Sequence, residues 1–209
     1  MKNAKRFLLL ILCVILVMPL FNSCKIGDED PGFSLYTRRA RLCQDWSFSY
    51  YKHSQQHGDS IVSNEYDGSS YITVYGTKSY ISNAKMTISF NKKGTYTWDE
   101  YISCDTSVYT YKEEGYWYFT GGGKDTDTKF RELLALQKIK HSKTLQVAGV
   151  TTSDDYTASG NLETTVYRLI KLSRDEVKME SKVEKQHIIG SNTVLDINNT
   201  IINLKMGAK

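Results

Sequence analysis

Beyond Pro31 the chain has no proline, and over the same stretch apolar and polar side chains repeatedly exchange places at every residue. Trp46, Phe48 and Tyr50 alternate with Ser47, Ser49 and Tyr51, and Ala84, Met86, Ile88 and Phe90 alternate with Lys85, Thr87 and Ser89. Successive side chains of a strand point to opposite faces, so this spacing suits a sheet with one buried face and cannot supply the continuous stripe of a helix. The segments are rich in Tyr, Thr, Val, Ile and Trp, which fit a pleated, half-buried surface. With both prolines at positions 19 and 31, turns must be made by Gly, Asn and Asp.

The pattern predicts a hairpin over residues 84–101, turning at Asn91–Gly94, with Tyr96 and Trp98 facing inward on the second arm. A second hairpin is expected from 61–66 and 71–75 around Asp67 and Gly68. Short strands follow at 108–111, 116–120, 133–138, 144–150, 164–172 and 177–180, with closing strands at 194–197 and 201–204. Trp117 and Phe119 face inward, and Gly121, Gly122, Gly123 and Lys124 read as a turn without the spacing of a phosphate loop. Residues 130–140 contain good helix formers but read as strand, one short helix being compatible with the whole. About 170 residues after Leu42 suffice for a single core. The expected fold is all-β: an antiparallel meander closing into a barrel of about eight strands.

The first 23 residues belong to a different argument. Lys2, Lys5 and Arg6 precede the apolar run from Phe7 to Phe21, then Asn22, Ser23 and Cys24. A charged start, an apolar segment and a small residue form a secretory signal. As a helix the run would span roughly 22 Å, short of the roughly 30 Å hydrocarbon core, which disfavours a permanent membrane span. Cys24 after Ser23 resembles the bacterial lipobox, whose cysteine is lipidated and becomes the first residue; an ordinary signal peptide is the alternative. The expected organisation is a signal over 1–23, a lipidated tether over 24–40 and a barrel domain over 41–209. Asp28, Glu29 and Asp30 resemble the acidic surface-export signal of lipoproteins from the Bacteroidetes, and any solvated tether offers a plainer reading.

Residues 1–23 hold three of the 27 Lys and Arg and none of the 23 Asp and Glu, so a chain starting at Cys24 carries 24 positive against 23 negative groups. No basic field remains, and nucleic acid is not an expected partner.

Trp46; Phe90, Gly94 and Tyr96; Gly115 and Trp117; and Tyr167, Leu169 and Leu172 together resemble the successive strand motifs of lipocalin-like lipoproteins of the Bacteroidetes, over about residues 40–182. That resemblance implies an outer-membrane lipoprotein on its periplasmic or cell-surface face. It also implies an arginine packed on the first tryptophan, with Arg168 and Arg174 as alternatives. A barrel of about eight strands is either just filled by its side chains or holds one small ligand. The expected ligand-facing set is Trp46, Phe48, Tyr50, Ile88, Phe90, Tyr96, Trp98, Trp117 and Phe119. Core packing is the competing reading for each of them.

Chemistry-bearing motifs are few. His53 and His57 would share a helical face as a metal pair, but they follow a strand with no acid matching a zinc-protease signature, and read as a loop pair. Asp99 with Glu100, and Glu113 with Glu114, are adjacent carboxylates aimed at opposite faces of a strand, so neither makes a pair within its strand. No nucleophile elbow or dinucleotide fingerprint is present, and no enzyme, metal or cofactor is expected. Cys43 and Cys104 can pair outside the cytoplasm, a bridge worth about 4 kcal/mol on the entropic account, or remain two free thiols. Asp59, Ser60 and Ile61 resemble the short O-glycan acceptor motif of the same phylum. Tyr51, Tyr101, Tyr109, Tyr116 and Tyr118 are expected outward, where they can stack on sugars or a protein partner or simply pair across strands. Two functions remain open: non-catalytic binding of a small apolar or glycan-like ligand, and an accessory role in which a plugged barrel docks a protein or polysaccharide.

Overall fold

A computed structural model describes residues 36–58, 60–121, 132–189 and 192–207. The leader, Cys24, the acidic cluster, Asp59 and the turn residues 122–124 lie outside the described residues. One helical turn, α1 (Arg38–Leu42), is followed by eleven strands: β1 (Asp45–His57), β2 (Ser60–Tyr66), β3 (Ser70–Tyr75), β4 (Lys78–Phe90), β5 (Thr95–Cys104), β6 (Ser107–Gly121), β7 (Glu132–Val147), β8 (Val150–Thr157), β9 (Glu163–Leu172), β10 (Glu176–Ile189) and β11 (Asn192–Met206). Every pairing is antiparallel, and the sheet closes on itself through β6–β7. The fold is therefore an antiparallel β-barrel with one short helix, as the alternation implies. Residues 132–140 are strand, as read, within β7, and the helical turn at 38–42 lies partly within the stretch expected as tether.

The ring changes size along its axis. At one end β1 pairs directly with β4, Asp45 to Thr87 through Ser89. Further along, the two strands separate and β2 and β3 fill the gap, β1 with β2, β2 with β3 and β3 with β4. Ten strands close the wide end, and without β2 and β3 the narrow end has eight. Strand β8 hangs on β7 as an additional edge. The expected pairs 108–111 with 116–120, and 194–197 with 201–204, prove to be the two ends of single long strands, β6 and β11.

The narrow end is packed solid. Trp46, Phe48, Ile88, Phe90 and Trp117 are buried there with Leu42, Leu172, Val177 and Leu204. The helical turn stoppers this base. Leu42 is fully buried, Arg41 donates to the Leu172 carbonyl at 2.5 Å, and the Trp46 indole donates to the Leu42 carbonyl at 2.9 Å. Thr37 caps the turn by accepting from the Ala40 amide. The guanidinium over a tryptophan is that of Arg39, 5.3 Å from the Trp117 ring centre; Arg174 lies over Tyr36, and Arg168 pairs with Glu180.

Three bulges decide which side chains face in. One between Phe48 and Tyr50 breaks the alternation of β1, so that Tyr51 rather than Tyr50 continues the inner row behind Trp46 and Phe48. A second lies opposite Glu114 and Gly115 in β7, and a third lets Leu169 and Leu172, three residues apart, both be buried. Gly115 sits hard against the β7 backbone: a Cβ there would lie 2.2 Å from the Gln137 carbonyl oxygen and 2.7 Å from Tyr96 Cε1. Only glycine fits.

Candidate functional site: a polar aromatic cavity at the wide end

Above the packed base the barrel opens into a cavity of about 310 Å³. Strand β1 contributes Tyr51; β5 contributes Tyr96, Trp98 and Glu100; β6 contributes Tyr109, Tyr111 and Glu113. Strands β7 and β9 complete the wall with Leu136, Lys138 and Lys143, and with Glu163, Thr165 and Tyr167. Each of these stands on a strand whose lower residues belong to the core, so a rigid scaffold sets their positions.

The lining is aromatic in its faces and polar in its tips. Phe48 and Trp98 are in contact at 4.8 Å, and the Tyr51 ring meets Trp98 edge-on at 6.1 Å and 87°. The three tryptophans use their indole N–H groups differently: Trp46 and Trp117 donate to backbone carbonyls at the base, whereas Trp98 donates to Glu100 Oε1 at 2.8 Å inside the cavity. Glu113 accepts from the Tyr96 hydroxyl at 2.5 Å through one oxygen and from the Tyr111 hydroxyl through the other. At the rim, Lys138 forms an ion pair with Glu163.

Burial dominates the electrostatics. It pushes the Glu100 carboxyl up to about 7, with the charge of Glu113 adding to the effect and the Trp98 hydrogen bond opposing it. Tyr109 is raised to about 12 by burial and by Glu100. Tyr51, Tyr96, Tyr111 and Tyr167 are likewise raised, first by burial and then by the neighbouring carboxylates. All five phenols are neutral at physiological pH, while Glu100 titrates near it.

This arrangement revises the expected site. Of the nine expected residues only Tyr96 and Trp98 line the cavity. Trp46, Phe48, Ile88, Phe90 and Trp117 fill the base, and Phe119 packs half-buried against them, because the taper brings opposite walls into contact there. Tyr50 is displaced from the inner row by the bulge in β1. Tyr51 and Tyr109, expected outward, line the cavity, whereas Tyr101, Tyr116 and Tyr118 are exposed as expected.

Glu100 and Glu113 were each visible as half of an adjacent acidic pair. Strand parity sends one member of each pair inward, and the β5–β6 register, with Trp98 opposite Glu113 and Glu100 opposite Tyr111, makes them diagonal neighbours. The signal that could have found them is the alternation itself, extended past Trp98 to Glu100 and backwards from Trp117 through Gly115 to Glu113.

The remaining candidates lie apart. His53 and His57 belong to strand β1 rather than to a loop after it, and bond separately to Thr200 Oγ1 at 2.9 Å and to Asp196 Oδ1 at 2.6 Å. Cys43 and Cys104 are both free. Cys43 follows the helical turn at the base, and Cys104 ends β5 at the wide end, roughly ten residues or 30 Å along the strand direction. A disulfide needs Cα atoms within about 7 Å, so of the two alternatives the free thiols hold and the bridge is not formed. No protein-family model, curated protein or solved structure matches the chain.

Proposed function

We propose that this is a lipid-anchored lipoprotein of the bacterial outer membrane whose barrel binds a small molecule at its wide end without transforming it. The single observation that carries the binding reading is the division of the interior: the base is filled, while the upper half encloses about 310 Å³, within the range of small-ligand sites. Polar tips on aromatic walls favour a hydrophilic, glycan-like or similarly polar molecule over a purely apolar one. Both oxygens of Glu113 are engaged by tyrosine hydroxyls, which suits a fixed acceptor better than a reacting group. The anchor rests on the apolar leader and Cys24, and the outer-membrane address on the lipocalin-like resemblance.

The test is a native mass measurement on protein purified from its own cells. A chain beginning at Cys24 with an added lipid mass supports the anchor, and a retained small molecule supports the carrier role. A chain that retains its leader, or begins at Cys24 without lipid, refutes the anchor.

An accessory role has one specific observation in its favour. Ile61, Tyr75, Tyr80 and Ile81, on the β2–β4 extension, are all more than half exposed. Strand parity puts Ile61 and Ile81 on the outer face of this extension and Tyr75 and Tyr80 on the inner one, so the outer pair offers apolar surface to a partner.

A further inference from the structure

We propose that the cavity takes an organic ammonium ion, its cationic head against Glu100 and its carbon substituents against Trp98, Tyr51 and Tyr111. The inference rests on the binding reading above and assigns the ligand its chemical class.

Three observations point to a cation. First, the walls offer several aromatic rings, whose electron-rich faces attract an ammonium group most strongly where water is excluded. Second, the two carboxylates differ in what they leave unsatisfied. Glu113 has a tyrosine hydroxyl on each oxygen, whereas Glu100 accepts only from the Trp98 indole among the described residues. A carboxylate has room for about four hydrogen bonds, so Glu100 retains acceptor capacity toward the cavity. Third, the lining lysines do not neutralise it: Lys138 is held by Glu163, and Lys143, level with Glu100 but across β6 behind Tyr111, makes no ion pair with it among the described residues. An anion would have to sit beside two carboxylates. A neutral sugar could donate hydroxyls to Glu100 but would leave the charge of the carboxylates uncompensated.

The same geometry makes binding depend on pH. The groups around Glu100 are Tyr51 on β1, Tyr71 on β3, Tyr109, Tyr111 and Glu113 on β6, Lys138, His141 and Lys143 on β7, and Glu163 and Tyr167 on β9. The phenols are all held above their ordinary value, and His141 is held below its own by burial and by Lys143 and Lys138. Glu100 is the group that ionises near neutrality. An ammonium ion is attracted to the charged carboxylate and favours it, so binding releases a proton and strengthens as pH rises.

The experiment is a calorimetric and tryptophan-fluorescence titration with tetramethylammonium, butylamine, methyl glucoside and decanoate at pH 6 and pH 8. The expected result is binding of an ammonium probe about tenfold tighter at pH 8 than at pH 6, the ratio for a site governed by one carboxyl near 7. Glu100→Gln should lose at least about tenfold in affinity at pH 8, and at pH 6, where the wild type releases close to one proton on binding, it should release none. The substitution keeps the acceptor for Trp98 and removes a buried charge, so loss of fold does not complicate the outcome. Binding of methyl glucoside or decanoate with none of either ammonium probe would overturn the cation assignment and leave the carrier reading standing. Ammonium binding undiminished in Glu100→Gln would also overturn the assignment. No binding by any probe, together with no retained mass in the native protein, would remove both.

Discussion

Replacing Glu100 by Gln should stabilise the protein at alkaline pH while weakening its ligand site. In the unfolded chain this carboxyl loses its proton near its ordinary value of 4.5; in the barrel, burial holds the proton until about pH 7. Between those values the folded state carries more protons than the unfolded state, so stability falls as pH rises. The cost is absent below pH 4.5 and fully present above 7. At about 1.4 kcal/mol per pH unit, it amounts to about 3 kcal/mol. Gln has no proton to lose and can still accept from Trp98 Nε1, so the variant escapes this cost. Urea unfolding of both proteins at pH 5, 6, 7 and 8 measures it directly. The stability of Glu100→Gln relative to wild type should climb across the series and reach about 3 kcal/mol at pH 8, with unchanged denaturant dependence. A difference that stays level from pH 5 to pH 8 would show that Glu100 is solvated like a surface carboxyl, and the account of the cavity as a desolvated acidic site would fail.

Other consequences concern the scaffold. Gly115→Ala should cost about 3 kcal/mol or more, because the clash is with the backbone of β7, and should lower the melting temperature by roughly 6 to 12 °C; an unchanged melting curve would contradict the close approach of the two strands. Leu42→Ala empties a fully buried position in the stopper and should cost about 2 to 5 kcal/mol in chemical unfolding. Ligand binding at the opposite end should be unaffected in that variant, and a joint loss would argue against two independent halves. Without reductant, Cys43 and Cys104 should each take one thiol reagent by mass. Cys104, which is exposed, should react ahead of Cys43, whose thiol burial holds above its ordinary value. A mass two hydrogens lighter and no labelling would establish the bridge instead.

Much of this architecture is legible without coordinates. The hairpin of β4 and β5 and its turn at Asn91–Gly94 follow from alternation and turn chemistry, and so does the burial of Trp46, Ile88, Phe90 and Trp117. What misleads is parity over distance. A single extra residue in β1 exchanges the roles of Tyr50 and Tyr51, and nothing local to those two tyrosines distinguishes them. The polar lining escapes for a related reason. Glu100 and Glu113 lie on the inner row by simple alternation, but a carboxylate is expected outside until the enclosing walls are known.

By itself, then, the order of residues determined the kind of sheet, its antiparallel hairpins and the aromatic identity of its interior, because each depends on steric preferences and on which side of a strand a residue falls. Only the closed barrel decided that the interior is divided into a filled base and an open, acidic mouth. That division arises where β2 and β3 enter the ring between β1 and β4. The circumference, and with it the room left for a ligand, is a property of strands paired across the whole chain and of no single segment.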